Sequence, residues 1–171
     1  MLTTTHVAVT ILFCMVLNLN RDEWFVAITF GVLIDADHLF GAPRYISHNG
    51  WDALLRRSWD DGSGLPWKSL LHYPVGAFVV LPLSVGWRYF LPILFWATHL
   101  GLDYAQNATG AWSTSIEAAV MTSSCVGIVW ILYRDWSYAQ PEGDFRGFVQ
   151  AMGLRAHCYG SAIRKRLGSI V

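Results

Sequence analysis

Seven histidine and aspartate residues lie within or at the ends of apolar segments, where ionisable side chains are rare. They are His6, Asp35, Asp37, His38, His72, His99 and Asp103. An ionisable group in hydrocarbon is costly unless it is paired, hydrated or bound to an ion, so each of these residues is a functional candidate. Imidazole nitrogen and carboxylate oxygen together suit zinc, manganese or iron. The residue types therefore predict a divalent-metal site, with zinc as the preferred metal.

The spacing places one carboxylate and one imidazole on each of two predicted helices. Asp35 and His38 are three residues apart and so face the same way, while His99 and Asp103 are four apart and lie one turn from each other. Asp35 and Asp37 are also the candidates to accept a proton from water or to orient a ligating imidazole. Two helices thus each offer a pair of ligands.

Each residue taken alone has a simpler explanation. A single histidine at the end of a span, such as His6 or His72, is more often an interfacial polar residue than a ligand. His99 and Asp103 could form a hydrogen-bonded pair that supports helix packing. The occurrence of all seven candidates together favours the metal site.

The elements that must position these residues are predicted membrane spans. The composition is 54% hydrophobic and only 14% charged, which is typical of a membrane protein and not of a soluble domain. A helix needs about 20 apolar residues to cross the hydrocarbon. Five segments approach this length, namely 4–19, 24–41, 70–87, 89–105 and 115–133. We therefore expect an all-α fold, a polytopic helical bundle that forms a single membrane domain over residues 1–171.

The segments outside the spans have distinct compositions. Residues 43–68 mix charged side chains with Trp and Leu, which predicts an amphipathic helix at the membrane interface. Its arginines Arg44, Arg56 and Arg57 are weak candidates to contact a lipid headgroup phosphate. Residues 134–171 are predicted to form a polar tail that is amphipathic or loosely ordered.

Counting the crossings places all seven candidates on one face of the membrane. That face carries four Lys and Arg residues and the opposite face carries eight. The positive-inside rule then orients the tail towards the cytoplasm and the candidate site away from it. The prediction is an integral multi-pass protein with an extracytoplasmic site.

Several function classes are excluded by composition and by missing motifs. The net charge is zero, which gives no basic field to attract nucleic acid. The three cysteines form neither a CxxC metal motif nor an even-numbered disulfide framework. The sequence contains no Gly-rich phosphate loop and no GxSxG motif, so it indicates neither an NTPase nor a serine hydrolase.

Three short motifs resemble those of the YdjM-type family of membrane-bound metal-dependent hydrolases. They are Thr5-His6, the run Leu-Ile-Asp-Ala-Asp-His at 33–38, and Thr98-His99 with Asp103, followed by Thr109-Gly110. The family has Leu-Pro-Asp-x-Asp-His in place of the second motif. It also opens its third span with His-Arg-Gly-x-Thr-His-Ser, of which this chain keeps only the second histidine, His72.

The resemblance implies phosphoester chemistry, because the family is distantly similar to zinc-dependent phospholipase C. Together with the position of the ligands at headgroup depth, it predicts a membrane-embedded hydrolase with a membrane lipid as its substrate. A metal or proton transporter is one alternative, since intramembrane acids and imidazoles also occur in ion pathways. A non-catalytic scaffold with a degenerate metal site is another, because half of the third-span motif is missing.

Overall fold

The regular elements of the chain are all helical in the part that the structure describes. This computed structural model describes residues 3–37, 43, 46–47, 50, 70–109 and 113–168. The α-helices in these ranges are α1 (Thr3–Val16), α2 (Arg21–Gly31), α3 (Ala77–Leu83), α4 (Leu91–Thr109), α5 (Ser113–Ala139) and α6 (Phe145–Gly168). Short 3-10 turns cover Leu33–Asp37, Leu70–His72, Pro74–Gly76 and Arg88–Phe90. The prediction of an all-α fold is confirmed for the described residues.

The helices differ from the predicted spans in length. Among the described helices only α5, over Thr114–Ala139, is long and apolar enough to cross a membrane, while Thr4–Val16 and Pro74–Leu83 are apolar but shorter. The segment predicted at 70–87 consists of two 3-10 turns followed by the seven-residue α3. Prolines explain this interruption, since Pro74 begins the second turn and Pro82 lies inside α3, where it removes a backbone donor.

The predicted helix over 24–41 is likewise divided. α2 ends at Gly31, because the backbone of Val32 (φ −133°, ψ −51°) leaves the helical conformation. The chain continues as the 3-10 turn Leu33–Asp37. The predicted interfacial helix at 43–68 lies almost entirely outside the described residues. The predicted tail contains a regular helix, α6.

The chain divides within α5 into two compact units, Met1–Cys125 and Val126–Val171. In the first unit α2 packs against both α1 and α4, and α3 packs against α4. The core between α1, α2 and α4 includes Cys14, Ala27, Leu91 and Phe95. A smaller core of Ile34, Val80 and Trp96 lies under α3. These two cores hold α1, the turn Leu33–Asp37 and α4 in position, and these three elements carry most of the candidate ligands.

A polar clamp, formed by Glu23 and Arg88, closes the first unit at the turn between α1 and α2. Asn20 caps α2 by accepting from the backbone N–H of Glu23 at 3.0 Å, and the Glu23 carboxylate accepts from the N–H of Asn20 at 2.8 Å. Arg88 donates to both oxygens of the Glu23 carboxylate, at 2.9 and 2.8 Å, and to the carbonyl of Asn18 at 3.1 Å. The donation from Asn20, with the Arg88 guanidinium, holds the pKa of Glu23 below its ordinary value.

The second unit is a helical hairpin of the end of α5 and the start of α6. The ring of Phe148 contacts those of Tyr133 and Trp136, with centroids 5.4 and 5.8 Å apart. The connecting turn contains Gly143, where a Cβ would overlap the Trp136 indole. The absence of a side chain at this position lets the turn close against the indole.

Candidate metal centre

Five of the seven predicted ligands lie together in the first unit, at the end opposite the Glu23–Arg88 clamp. One comes from the start of α1, one from the turn after α2, one from the turn before α3, and two from α4. The five, called the His/Asp cluster below, are His6, Asp35, His72, His99 and Asp103. Residues that are 97 positions apart in the chain thus meet at one site.

The cluster alternates imidazoles and carboxylates. Asp103 lies between His6 and His99, with Oδ1 3.1 Å from His6 Nε2 and Oδ2 3.8 Å from His99 Nε2. Asp35 lies between His99 and His72, with Oδ1 3.2 and 3.4 Å from their Nε2 atoms. Ligands bound at about 2.0–2.1 Å in a tetrahedron lie about 3.3 Å from one another. Three of the four separations are close to that value.

The three imidazole rings pack against one another. His6 stacks on His99 with centroids 4.0 Å apart and an angle of 18° between the planes, and His72 meets His99 edge-on at 5.4 Å. The three histidine side chains are no more than 1% exposed, whereas those of Asp35 and Asp103 are 14% and 15% exposed. The carboxylates therefore form the side of the cluster that an incoming molecule can reach.

The main chain fixes the orientation of His99. Its Nδ1 lies 3.1 Å from the carbonyl oxygen of Gly31, which can only accept, so Nδ1 carries the proton and donates it. In the neutral ring Nε2 is then an acceptor, and it faces Asp35 Oδ1, another acceptor, at 3.2 Å. A metal-ligating histidine usually donates one ring N–H to a carbonyl or carboxylate and offers its other nitrogen to the metal, and the bond from Nδ1 to Gly31 meets the first of these conditions.

Two buried ring nitrogens lack a hydrogen-bond partner among the described residues. They are Nε2 of His99 and Nδ1 of His6. Leaving a buried polar atom unpaired costs about 1–3 kcal/mol, so such atoms are rare and call for an explanation. With the ring neutral, a cation near the cluster would satisfy Nε2 of His99 and neutralise the Asp35 carboxylate that faces it. The donor set therefore fits a divalent metal.

The ligand atoms form two overlapping triads, within each of which all atoms lie within 4.8 Å of one another. One triad is His6, Asp35 and His99, and the other is His72, His99 and Asp103. His99 belongs to both triads but has only Nε2 to offer, since Nδ1 is bound to Gly31. The two triads thus share one nitrogen and describe a single site with His99 at its centre.

Gly31 also sets how closely the helices approach one another. A Cβ at this position would lie 2.5 Å from Oγ1 of Thr10 on α1 and 3.2 Å from Cδ1 of Phe95 on α4. A larger residue fits only if the side chains of Thr10 and Phe95, or the helices that carry them, move. Sequence reasoning missed Gly31, because neither a backbone acceptor nor a close helix approach leaves a motif.

A second buried polar contact lies on α1 beside His6. Thr5 donates to Oε1 of Glu117 on α5 at 3.2 Å, and both residues are buried. The contact joins the start of α5 to the end of α1 that carries the cluster. Glu117 was missed although it lies within the predicted span 115–133, where the same rule for ionisable residues would have flagged it.

The side chains of the other predicted site residues lie outside the described part of the structure. Asp37 closes the 3-10 turn that carries Asp35, but its side chain lies outside the described part of the structure, as do His38, Arg44, Arg56 and Arg57. Because α2 ends before the turn, the expectation that Asp35 lies on an α-helix does not hold. The turn instead carries Asp35 to the cluster.

Comparisons with protein-family models, with curated proteins and with solved structures find no match for this chain. Function is therefore inferred from the chain's own residues, and the resemblance to YdjM-type hydrolases stays a prediction.

Proposed function

We propose that this chain is a multi-pass membrane protein and a metal-dependent hydrolase that cleaves a phosphoester of a membrane lipid at the interface. The observation that carries the proposal is the His/Asp cluster, in which His99 is tied to a backbone carbonyl and presents an unpaired buried nitrogen to a carboxylate. The resemblance to YdjM-type hydrolases favours phosphoester chemistry. The proposed orientation places the cluster on the extracytoplasmic face.

The surface of the described helices favours a membrane location. α5 is long and apolar enough to span a bilayer, and most of its side chains are exposed. In the first unit Phe78 is 84% exposed and Val85 is 73% exposed. Large apolar side chains on the outside are unfavourable in water but ordinary in lipid. We extend this reasoning to crossings at all five predicted segments.

The cluster residues have separate roles in this proposal. His6, His72, His99 and Asp103 would hold the metal, with Asp35 as a further ligand when it does not act as the base; zinc is the first choice and manganese or iron the alternatives. A bound divalent metal lowers the pKa of its water from 15.7 towards about 7 and offsets charge that develops on phosphoryl oxygens.

Asp35 is the proposed proton acceptor. Its Oδ1 lies within 3.4 Å of two imidazole nitrogens, and its side chain is more exposed than those of the histidines. A carboxylate in that position can take a proton from water and pass it outwards. The neighbouring Asp37, on the same turn, is the second candidate for this role.

Transport of a metal ion or proton is the weaker alternative. A conduit needs polar groups at successive depths. Here Cys14, Ala27 and Phe95, all at most 1% exposed, pack between the cluster and the Glu23–Arg88 clamp. Among the described residues this layer carries no charged side chain and no imidazole, which favours a site at one end.

Metal analysis and turnover by the purified full chain test the proposal. We expect stoichiometric zinc, manganese or iron in the wild type and headgroup release from a panel of phospholipids. His99→Ala should lose the metal and reduce turnover at least about 100-fold. Removing a residue that only hydrogen-bonds to a metal ligand already lowers metal affinity or activity about 10- to 100-fold. His157→Ala is the matched control, because His157 is exposed on α6.

Three results would contradict the proposal in different ways. A wild type without stoichiometric metal would refute both the hydrolase and the metal-carrier functions. Stoichiometric metal without headgroup release would support a scaffold with a degenerate site. Equal turnover by the wild type and by His99→Ala would show that the cluster takes no part in catalysis.

A further inference from the structure

Helix α6 combines a strong positive charge with the absence of acidic residues. Its 24 residues include five Lys and Arg side chains and no Asp or Glu. The five are Arg146, Arg155, Arg164, Lys165 and Arg166. The whole chain is neutral with 12 basic residues, so this helix concentrates nearly half of its positive charge. A local field of this kind attracts an anionic surface.

The same helix has an apolar stripe that stays largely exposed in the described structure, although the ring of Phe145 contacts that of Tyr133 at 5.8 Å. Phe145, Val149, Met152 and Ala156 follow the i, i+4, i+7, i+11 spacing that places residues on one helix face. Phe145 is 59% exposed and Val149 is 53% exposed. A basic helix with an exposed apolar face has the properties of a helix that lies in a membrane interface.

The start of α6 is fixed to the end of α5, the described helix that is able to cross a membrane. The buried ring of Phe148 contacts Tyr133 and Trp136 on the last turns of α5. Asp144 caps α6 by accepting from the backbone N–H of Gly147 at 2.8 Å. Aromatic side chains of this kind concentrate where a span leaves the bilayer. α6 therefore begins at headgroup depth if α5 spans the membrane.

We propose that α6 lies on the bilayer that α5 enters and binds anionic phospholipid headgroups there. Arg146 and Arg155 contact lipid phosphates, and the stripe from Phe145 to Ala156 enters the boundary with the acyl chains. The proposal rests on the membrane location in the proposed function, but not on metal binding or hydrolysis. Charge complementarity favours this partner, because the helix contains no acid that would repel anionic lipid.

A pair of fluorescent reporters on the full chain tests the proposal. Cys125 and Cys158 are exposed and are replaced by serine, whereas Cys14 is fully buried and stays. An environment-sensitive dye is attached through Ala156→Cys, on the apolar stripe, or through Gln150→Cys, a matched exposed position on the opposite face. Each protein is placed in nanodiscs of phosphatidylcholine alone or of phosphatidylcholine mixed with phosphatidylglycerol, with a chelator present.

We expect the reporter on the stripe to move to an apolar environment only in the anionic bilayer, and to return to water at high salt. The reporter on the opposite face should stay in water throughout. Each Lys or Arg near an anionic surface changes the ratio of bound to free helix about fivefold. Arg146→Gln with Arg155→Gln should therefore lower that ratio about 25-fold. Arg21→Gln, an exposed arginine on α2, is the control and should leave the ratio unchanged.

The other outcomes overturn the proposal and show why. Equal emission in neutral and anionic bilayers means that α6 does not recognise lipid charge. A stripe reporter whose emission depends on protein concentration means that protein covers the face. A chain that does not co-elute with the nanodisc refutes the membrane location and this proposal together. A chain that co-elutes here, but lacks metal and turnover in the separate assays without chelator, leaves only the hydrolase refuted.

Discussion

Replacing Gly31 by alanine tests whether α2 packs as closely against α1 and α4 as it does in the structure. The new Cβ would lie 2.5 Å from Oγ1 of Thr10 and 3.2 Å from Cδ1 of Phe95. Thr10 and Phe95 are both buried, so neither can move into solvent. Overpacking of this kind costs about 1–3 kcal/mol. For a chain of this size that cost lowers the Tm by about 2–12 °C.

The same change should weaken metal binding. The carbonyl of Gly31 holds Nδ1 of His99 at 3.1 Å, and moving α2 disturbs that bond. Loss of such a partner typically reduces metal affinity 10- to 100-fold. We expect a drop of about tenfold, since Gly31→Ala moves the acceptor without removing it. Differential scanning fluorimetry in detergent and zinc titration against a competing chelator measure the two effects.

Two further variants identify the cause. Thr10→Ala removes the atom that the new Cβ would meet. If the two substitutions acted independently, their losses of unfolding free energy would add. The double variant should be at least about 1 kcal/mol more stable than that sum. Gly101→Ala is the matched control, because a Cβ at this position in α4 meets nothing within 4 Å. It should raise stability by about 0.5–1 kcal/mol through helix propensity. Equal Tm and zinc affinity in Gly31→Ala and Gly101→Ala would refute the reasoning.

Three other predictions concern separate parts of the first unit. Asp35→Asn should lower zinc affinity at least about tenfold, and wild-type binding should weaken on acidification because the imidazoles must be deprotonated; an unchanged chelator titration would contradict a metal role. Because the pKa of Glu23 is lowered, its pairing stabilises the fold at neutral pH and is lost as the pH falls through the folded pKa. The Tm of Arg88→Gln should therefore lie below that of the wild type at neutral pH and converge with it in acid. Trp96→Phe deletes the indole donation to the Leu71 carbonyl at 2.7 Å and should cost about 1–3 kcal/mol in thermal unfolding, whereas no change would mean that water replaces the bond.

The candidate site was partly predictable, because its chemistry lies in residue types and its helical part obeys a simple period. The i, i+4 spacing of His99 and Asp103 was enough to predict that they are neighbours, and α4 places their side chains 3.8 Å apart. Histidine and aspartate in apolar segments also indicated which distant residues meet.

The rest of the site depends on tertiary contacts. The end of α2 at Gly31 is set by the backbone of Val32, for which the sequence has neither a proline nor a following glycine as a stop signal. The break between α3 and α4 requires a left-handed backbone at Tyr89 (φ 56°), which the sequence does not indicate, since bulky residues rarely adopt it. Side-chain chemistry was therefore easier to predict than the places where the backbone turns.

The hydrogen bond from His99 to Gly31 has a consequence for how the cluster can vary among related chains. An acceptor supplied by a side chain disappears with one substitution, but a peptide oxygen is present whichever amino acid occupies the position. Variation at position 31 is therefore restricted by volume and not by chemistry, because the limit is the 2.5 Å that separates a Cβ from Thr10. Most point mutations therefore leave the tautomer of His99 unchanged. Related chains should differ at many neighbouring positions before the imidazole loses its orientation.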